Sequence, residues 1–276
     1  MAHSIRFVVF FISLFVAIIC AAEGTTSSGA IQDILQSPDR TPAFASRDIY
    51  RHPSQTLVFF DVQADMTVVE IWPGTGWYTE ILALYLSSGQ LYAAHFPADS
   101  GVKYFADSRM FFEEKLKAYP DVYASVVLGE FSPKMNVLTV PDGSADRVLT
   151  FRNVHNWLRS KNEAEAFSLF YRVLKPGGIL GVVEHRAKPG TDWETMKKSG
   201  YMTEAYVIEL AEQAGFVLEA RSEINANPKD STSHPKGVWA LPPTLRLKDK
   251  ERDKYLAIGE SDRMTLRFSK PLSANK

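Results

Sequence analysis

The residues best suited to chemistry fall into three groups. His155 and His185 each stand at the end of an apolar run, and an imidazole with an ordinary pKa near 6.5 can take a proton near neutrality. Gly74 and Gly76 form a tight turn after the apolar run that ends at Glu70. Glycine tolerates positive φ and lets the backbone come close to a ligand. Glu70, Glu130 and Asn153 are polar groups at strand ends, placed to hydrogen-bond a polar small molecule. Each has a plainer alternative. Glu70 can cap a helix, Glu130 can be a solvated loop residue, and His155 can cap the loop that follows it. Glu184-His185-Arg186 can be a structural ion-pair network.

Other chemistries find little footing. A dinucleotide fingerprint needs a third glycine where Thr79 stands. No Gly-x-Ser-x-Gly elbow is present for a hydrolase. His155, His185 and His234 show no close metal-ligand spacing, so no metal site is expected. The formal net charge of −1 supplies no field for nucleic acid, so none is expected as a partner.

Alternating elements must position these groups. Strands are expected at Thr67–Ile71, Gln90–Ala94, Val122–Leu128, Ala145–Phe151, Ile179–Val183, Phe216–Ala220 and Met264–Phe268. Helices are expected at Tyr78–Leu86, Val102–Ala118, Glu163–Val173 and Tyr206–Ala214. The alternation predicts a doubly wound α/β fold with a seven-stranded sheet, the last strand antiparallel. Ligands then belong at the carboxyl edge of the strands. An apolar fraction of 45% is ample for a core.

The N-terminus has its own logic. Arg6, the apolar run Phe7–Ile19 and the small residues Cys20-Ala21-Ala22 follow the pattern of a secretory signal peptide. The run is short of the roughly 20 residues of a membrane span. Cleavage after Ala22 removes the single cysteine and leaves a thiol-free product suited to an oxidising compartment. The expected organisation is a signal over 1–22, a flexible segment over 23–46 and a domain over 47–272 with an insertion at about 225–257. Export implies a periplasmic or secreted location, with no membrane span after cleavage.

Two motifs carry a resemblance. Val68-Val69-Glu70-Ile71-Trp72-Pro73-Gly74-Thr75-Gly76-Trp77-Tyr78-Thr79 resembles the first motif of class I S-adenosylmethionine-dependent methyltransferases, with Trp72 where the first glycine is usual. Leu174-Lys175-Pro176-Gly177-Gly178 resembles the turn ahead of their fifth strand. Arg51-His52-Pro53, Arg152-Asn153-Val154-His155-Asn156-Trp157 and the terminal Asp262-Arg263 segment resemble a group of predicted secreted methyltransferases. The resemblance implies S-adenosyl-L-methionine as cofactor. It places Glu70, Gly74, Gly76, Tyr78 and Asn153 at that cofactor, with His95 or Asp99 at its ribose, where an acidic strand end is usual, and Glu130 at its adenine. His155, His185 and Asn153 would face the methyl acceptor, a small molecule or envelope component. A non-catalytic small-ligand-binding module on the same scaffold is the alternative.

Overall fold

A computed structural model of the chain describes residues 27–38 and 40–272; the expected signal peptide, 1–22, lies outside them. One mixed sheet organises the protein. Its strands are β1 Thr67–Ile71, β2 Gln90–His95, β3 Val126–Ser132, β4 Val137–Leu138, β5 Ala145–Phe151, β6 Leu174–His185, β7 Val217–Ser222 and β8 Arg263–Ser269. Their spatial order is β4-β3-β2-β1-β5-β6-β8-β7. β8 runs antiparallel to both β6 and β7, and β4 runs antiparallel to β3. The sheet thus has eight strands where seven were expected, because Val137 and Leu138 pair back onto Ser132 and Phe131.

The helices follow in chain order: α1 over 27–35, α2 Pro42–Ala45, α3 Asp48–Arg51, α4 Pro53–Phe59, α5 Trp77–Tyr85, α6 Lys103–Ala118, α7 Pro120–Tyr123, α8 Val154–Ser160, α9 Glu163–Val173, α10 Trp193–Ser199, α11 Glu204–Gln213 and α12 Arg252–Ile258. None of the described helices is long and apolar enough to cross a membrane.

Successive strand residues point to opposite faces, and the core divides accordingly. Val68, Leu149 and Val183 pack with Leu57 of α4 and with Ile81 and Leu82 of α5. Val69, Val148 and Val182 pack on the other face with Trp157, Phe167, Phe170 and Leu210 from α8, α9 and α11. Helices on both faces leave the strand ends as the open edge. Register levels them: Ile71 pairs with Ala94 and lies beside Thr150, while His185 pairs with Arg263 at the start of β8.

Three expectations change. The described part of the 23–46 segment is anchored to the domain: Ile31 is fully buried, and Arg40 reaches Glu80 at 2.8 Å. The third strand starts at Val126, four residues late, because Pro120 opens the helical turn α7. The 225–257 insertion also has a core, in which Ala240, Leu241 and Tyr255 pack together.

Gly181 marks the tightest point of the sheet. A Cβ there would lie 2.8 Å from both Leu149 Cδ2 and the Phe60 ring. Gly181→Ala is expected to destabilise by about 1–3 kcal/mol through overpacking. An unchanged urea midpoint would show that the contact yields freely.

Candidate functional site

The turn after β1 is built from three left-handed residues, Trp72 (φ 46°), Gly74 (φ 61°) and Gly76 (φ 84°). Trp72 therefore occupies a conformation that favours glycine, at a cost of about 1–2 kcal/mol. Its indole offsets this. Nε1 donates to the Phe131 carbonyl at 3.0 Å, and the ring contacts Phe96 at 4.7 Å, Trp157 at 5.5 Å and Phe131 at 5.6 Å. At Gly76 a Cβ would meet the Phe112 ring of α6 at 3.0 Å. At Gly74 it would meet nothing within 4 Å, so that backbone faces open space.

Gly74 lines two adjoining cavities. One, about 510 Å³, is walled by Trp72, Phe96, Tyr104, Phe105, Asn153 and Asn156. The other, about 600 Å³, lies towards Phe44, Phe111 and Lys115. Phe96 and Phe105 are stacked 4.1 Å apart in the wall of the first, an apolar surface that suits a flat ring. A larger cavity of about 960 Å³ lies beyond β6. Its strongest cation, Arg186, is already paired with Glu204, Glu223 and Asp262.

The expected site residues take the following places. Glu70 is buried and accepts a 2.6 Å hydrogen bond from Thr79 Oγ1, so it ties β1 to α5. Burial pushes its pKa up to about 7, against the hydrogen bond from Thr79. Tyr78 stacks on Phe151 at 3.6 Å and donates to the Arg51 carbonyl. His95 is fully buried and lines neither cavity. Its Nδ1 accepts from the Phe96 amide, and Nε2 lies 3.3 Å from the Gly74 carbonyl. Burial lowers its pKa to about 4. His95 is thus a neutral brace for the glycine turn. Glu130 lies within β3 opposite His95, not in a following loop, and accepts from the Ala98 amide at 3.2 Å. Asn153 does line the first cavity: Nδ2 donates to the Ile71 carbonyl, leaving Oδ1 without a partner among the described residues.

His155 and His185 come together across the β5–β6 edge, with ring centroids 5.2 Å apart. His155 Nδ1 lies 3.0 Å from Glu184 Oε1, which places a proton on Nδ1 and leaves Nε2 as acceptor. Glu184 is fully buried and also accepts from the backbone amides of His155 and His185. His185 Nδ1 meets Ser261 Oγ at 2.6 Å. Burial, then the neighbouring His155, holds the His185 pKa well below its ordinary value. Neither imidazole lines the two cavities at Gly74. His155, Glu184 and His185 also lie close enough to share a metal ion, a grouping that sequence spacing hides. Arg263, Arg152 and Arg51 raise a positive field beside it, which opposes a cation.

Residues 69–182 match the family model described as a methyltransferase domain. Solved structures share the architecture at low identity. An S-adenosylmethionine-dependent methyltransferase from Aquifex aeolicus aligns at 19% identity over 72% of this chain and 93% of that one, with a TM-score of 0.52. A geranyl diphosphate methyltransferase in complex with S-adenosylmethionine aligns at 11% over 87% and 94%, also at 0.52. The [4+2]-cyclase SpnF aligns at 16% over 86% of each chain, with a TM-score of 0.57. The fold is that of the class I methyltransferases. No curated protein matches the chain. Within the methyltransferase fold, the eighth strand is the short β4 added at the β3 edge.

Glu70 gives a pH prediction. Its carboxyl holds a proton more tightly folded, at about 7, than at its ordinary 4.5. Between these values the folded state binds more protons, so stability falls as pH rises. The full effect is about 3 kcal/mol. Glu70→Gln should be less stable than, or equal to, the parent at pH 4 and gain on it by pH 8. Parallel urea midpoints across that range would refute the shift.

Proposed function

We propose that this chain is an exported S-adenosylmethionine-dependent methyltransferase acting on a small molecule or envelope component. The observation that carries the reading is Gly74. It offers bare backbone to open space at the carboxyl ends of β1 and β2, in a class I methyltransferase fold. Export rests on the N-terminal sequence pattern, and a periplasmic or secreted location follows from it.

The residues present fit the cofactor. Gly74 leaves room where a side chain would intrude, the Phe96–Phe105 pair offers a wall for a ring, and Asn153 Oδ1 is a free acceptor. When bound, S-adenosylmethionine supplies an electrophilic methyl group on a sulfonium. The protein's task is then alignment and proton removal. His155 Nε2 would accept the proton that the acceptor loses as its bond to the methyl carbon replaces the methyl–sulfur bond, with S-adenosylhomocysteine leaving. Glu184 holds the imidazole in the tautomer that can do so and stabilises the imidazolium. His185 is the poorer base, because burial and its cationic neighbours keep it neutral.

The same fold in SpnF carries the name of a cyclase, and both imidazoles stand outside the two cavities. These observations favour a second reading, a non-catalytic small-ligand-binding module. Calorimetry with S-adenosylhomocysteine, then incubation with methyl-labelled cofactor and an envelope extract, separates the two. Methyl transfer should be seen, and His155→Gln or Glu184→Gln should lower kcat about 10²–10⁴-fold with S-adenosylhomocysteine affinity little changed. Binding without transfer supports the module. No binding at all sinks the methyltransferase reading.

A further inference from the structure

We propose that the guanidinium cluster of Arg51, Arg152 and Arg263 binds a carboxylate or phosphate group carried by the methyl acceptor. That the anion belongs to a methyl acceptor rests on the methyltransferase reading; the anion site does not. The cluster unites three separate stretches of sequence. Arg51 ends α3, Arg152 follows β5, and Arg263 opens β8 opposite His185. It therefore stands at the carboxyl edge of β5, β6 and β8, beside the His155–His185 pair.

The charges do not balance. Glu260 is the carboxylate among these groups, and three arginines already address it. Arg47 Nε lies at 2.6 Å from Oε1, Arg51 Nε at 3.3 Å from Oε2, and Arg263 Nη2 also bonds Oε2. Arg152 is the fourth guanidinium; its electrostatic neighbours are Arg263, Glu260, Tyr78 and Arg47. Four cations thus face one carboxylate. The other acids nearby are committed: Asp48 pairs with Arg40, Glu70 is held by Thr79, and Glu184 by His155.

Donors are left over as well. The Arg152 guanidinium makes no hydrogen bond among the described residues, and Arg263 Nε is buried without a partner although Arg263 is only 2% exposed. Unpaired buried cations are costly to folding unless something compensates them. Planar guanidinium forks match carboxylate and phosphate oxygens. Arg47 and Arg152 are only partly buried, so the cluster is open to solvent on that side. Desolvation, then the like charge of Arg263, lowers the Arg152 pKa to about 10.

The test uses inorganic phosphate at constant ionic strength against chloride. Phosphate should raise the melting temperature of the parent protein. Arg152→Met should weaken that response at least tenfold, melt no lower than the parent without phosphate, and keep S-adenosylhomocysteine affinity within threefold. Arg152→Lys, which keeps the charge, should retain most of the response and guards against a folding defect. An equal phosphate response in the parent and Arg152→Met overturns the proposal. So does an Arg152→Met variant that binds S-adenosylhomocysteine at least tenfold more weakly but methylthioadenosine normally, since the cluster would then hold the cofactor's own carboxylate. Failure of the parent to bind S-adenosylhomocysteine refutes the methyltransferase reading alone, and the phosphate arm still decides the anion site.

Discussion

The carboxylate of Glu260 is the tie on which the open edge of the sheet depends. It joins Arg47 and Arg51, more than 200 residues earlier in the chain, to Arg263 at the head of β8. Charges this buried are stabilising only when paired. Coulomb attraction from Arg263 and Arg51, with the hydrogen bond from Arg47, overcomes desolvation and keeps the Glu260 carboxyl ionised well below the usual carboxylate range. The same contact places the 47–53 segment over the strand ends and fixes where β8 begins. Because β8 is antiparallel, its first residue, not its last, reaches the carboxyl edge. The reversed strand thus delivers an arginine to a place that a parallel strand would have filled with its C-terminal end.

The glycine turn solves a different problem. Its first position demands positive φ, and Trp72 meets it at 46°. Strain at such a position persists only when the surroundings over-determine it. Here they do so through the indole, held by Phe96, Phe131 and Trp157 and by one hydrogen bond to a β3 carbonyl. His95 braces the turn from the other side. A side chain that looks like a departure from the motif therefore acts as a wedge between the turn and the wall of the cavity.

Much of the fold was legible in the sequence, for identifiable reasons. β1, β5 and α9 have the expected bounds, because strong apolar periodicity and turn residues delimit them on both sides. β3 was displaced because Pro120 starts a helical turn inside an apolar stretch. The 225–257 segment reads as loop because it is polar, yet its polar groups tie it to the rest of the protein. Asn225 bonds Thr56 and Thr265, and Asp230 bonds Tyr201 and His234. The site was less legible. His155 and Glu184 lie 29 residues apart and meet only through β5–β6 register. Glu260 carried no motif signal of its own. Arg152 had one, its place beside Asn153 at the end of a strand, but an arginine there gains meaning only once Arg51 and Arg263 are seen to converge on it.

That convergence constrains the chemistry more than any single residue does. A positive field at the edge of β5, β6 and β8 disfavours a protonated His185, while His155 has the Glu184 carboxylate at 3.0 Å. The field disfavours a bound cation at His155, Glu184 and His185 for the same reason. It favours the ionised form of any acidic group brought there. An acceptor anchored by an anion beside His155 would meet a base already oriented by a buried carboxylate, in surroundings that lower the cost of the acceptor's own deprotonation. A cation-binding centre and a base for a positively charged amine both sit poorly in that field. A hydroxyl or other weakly acidic group on an anionic molecule sits well, so the arginines that hold the edge together also narrow what can react there.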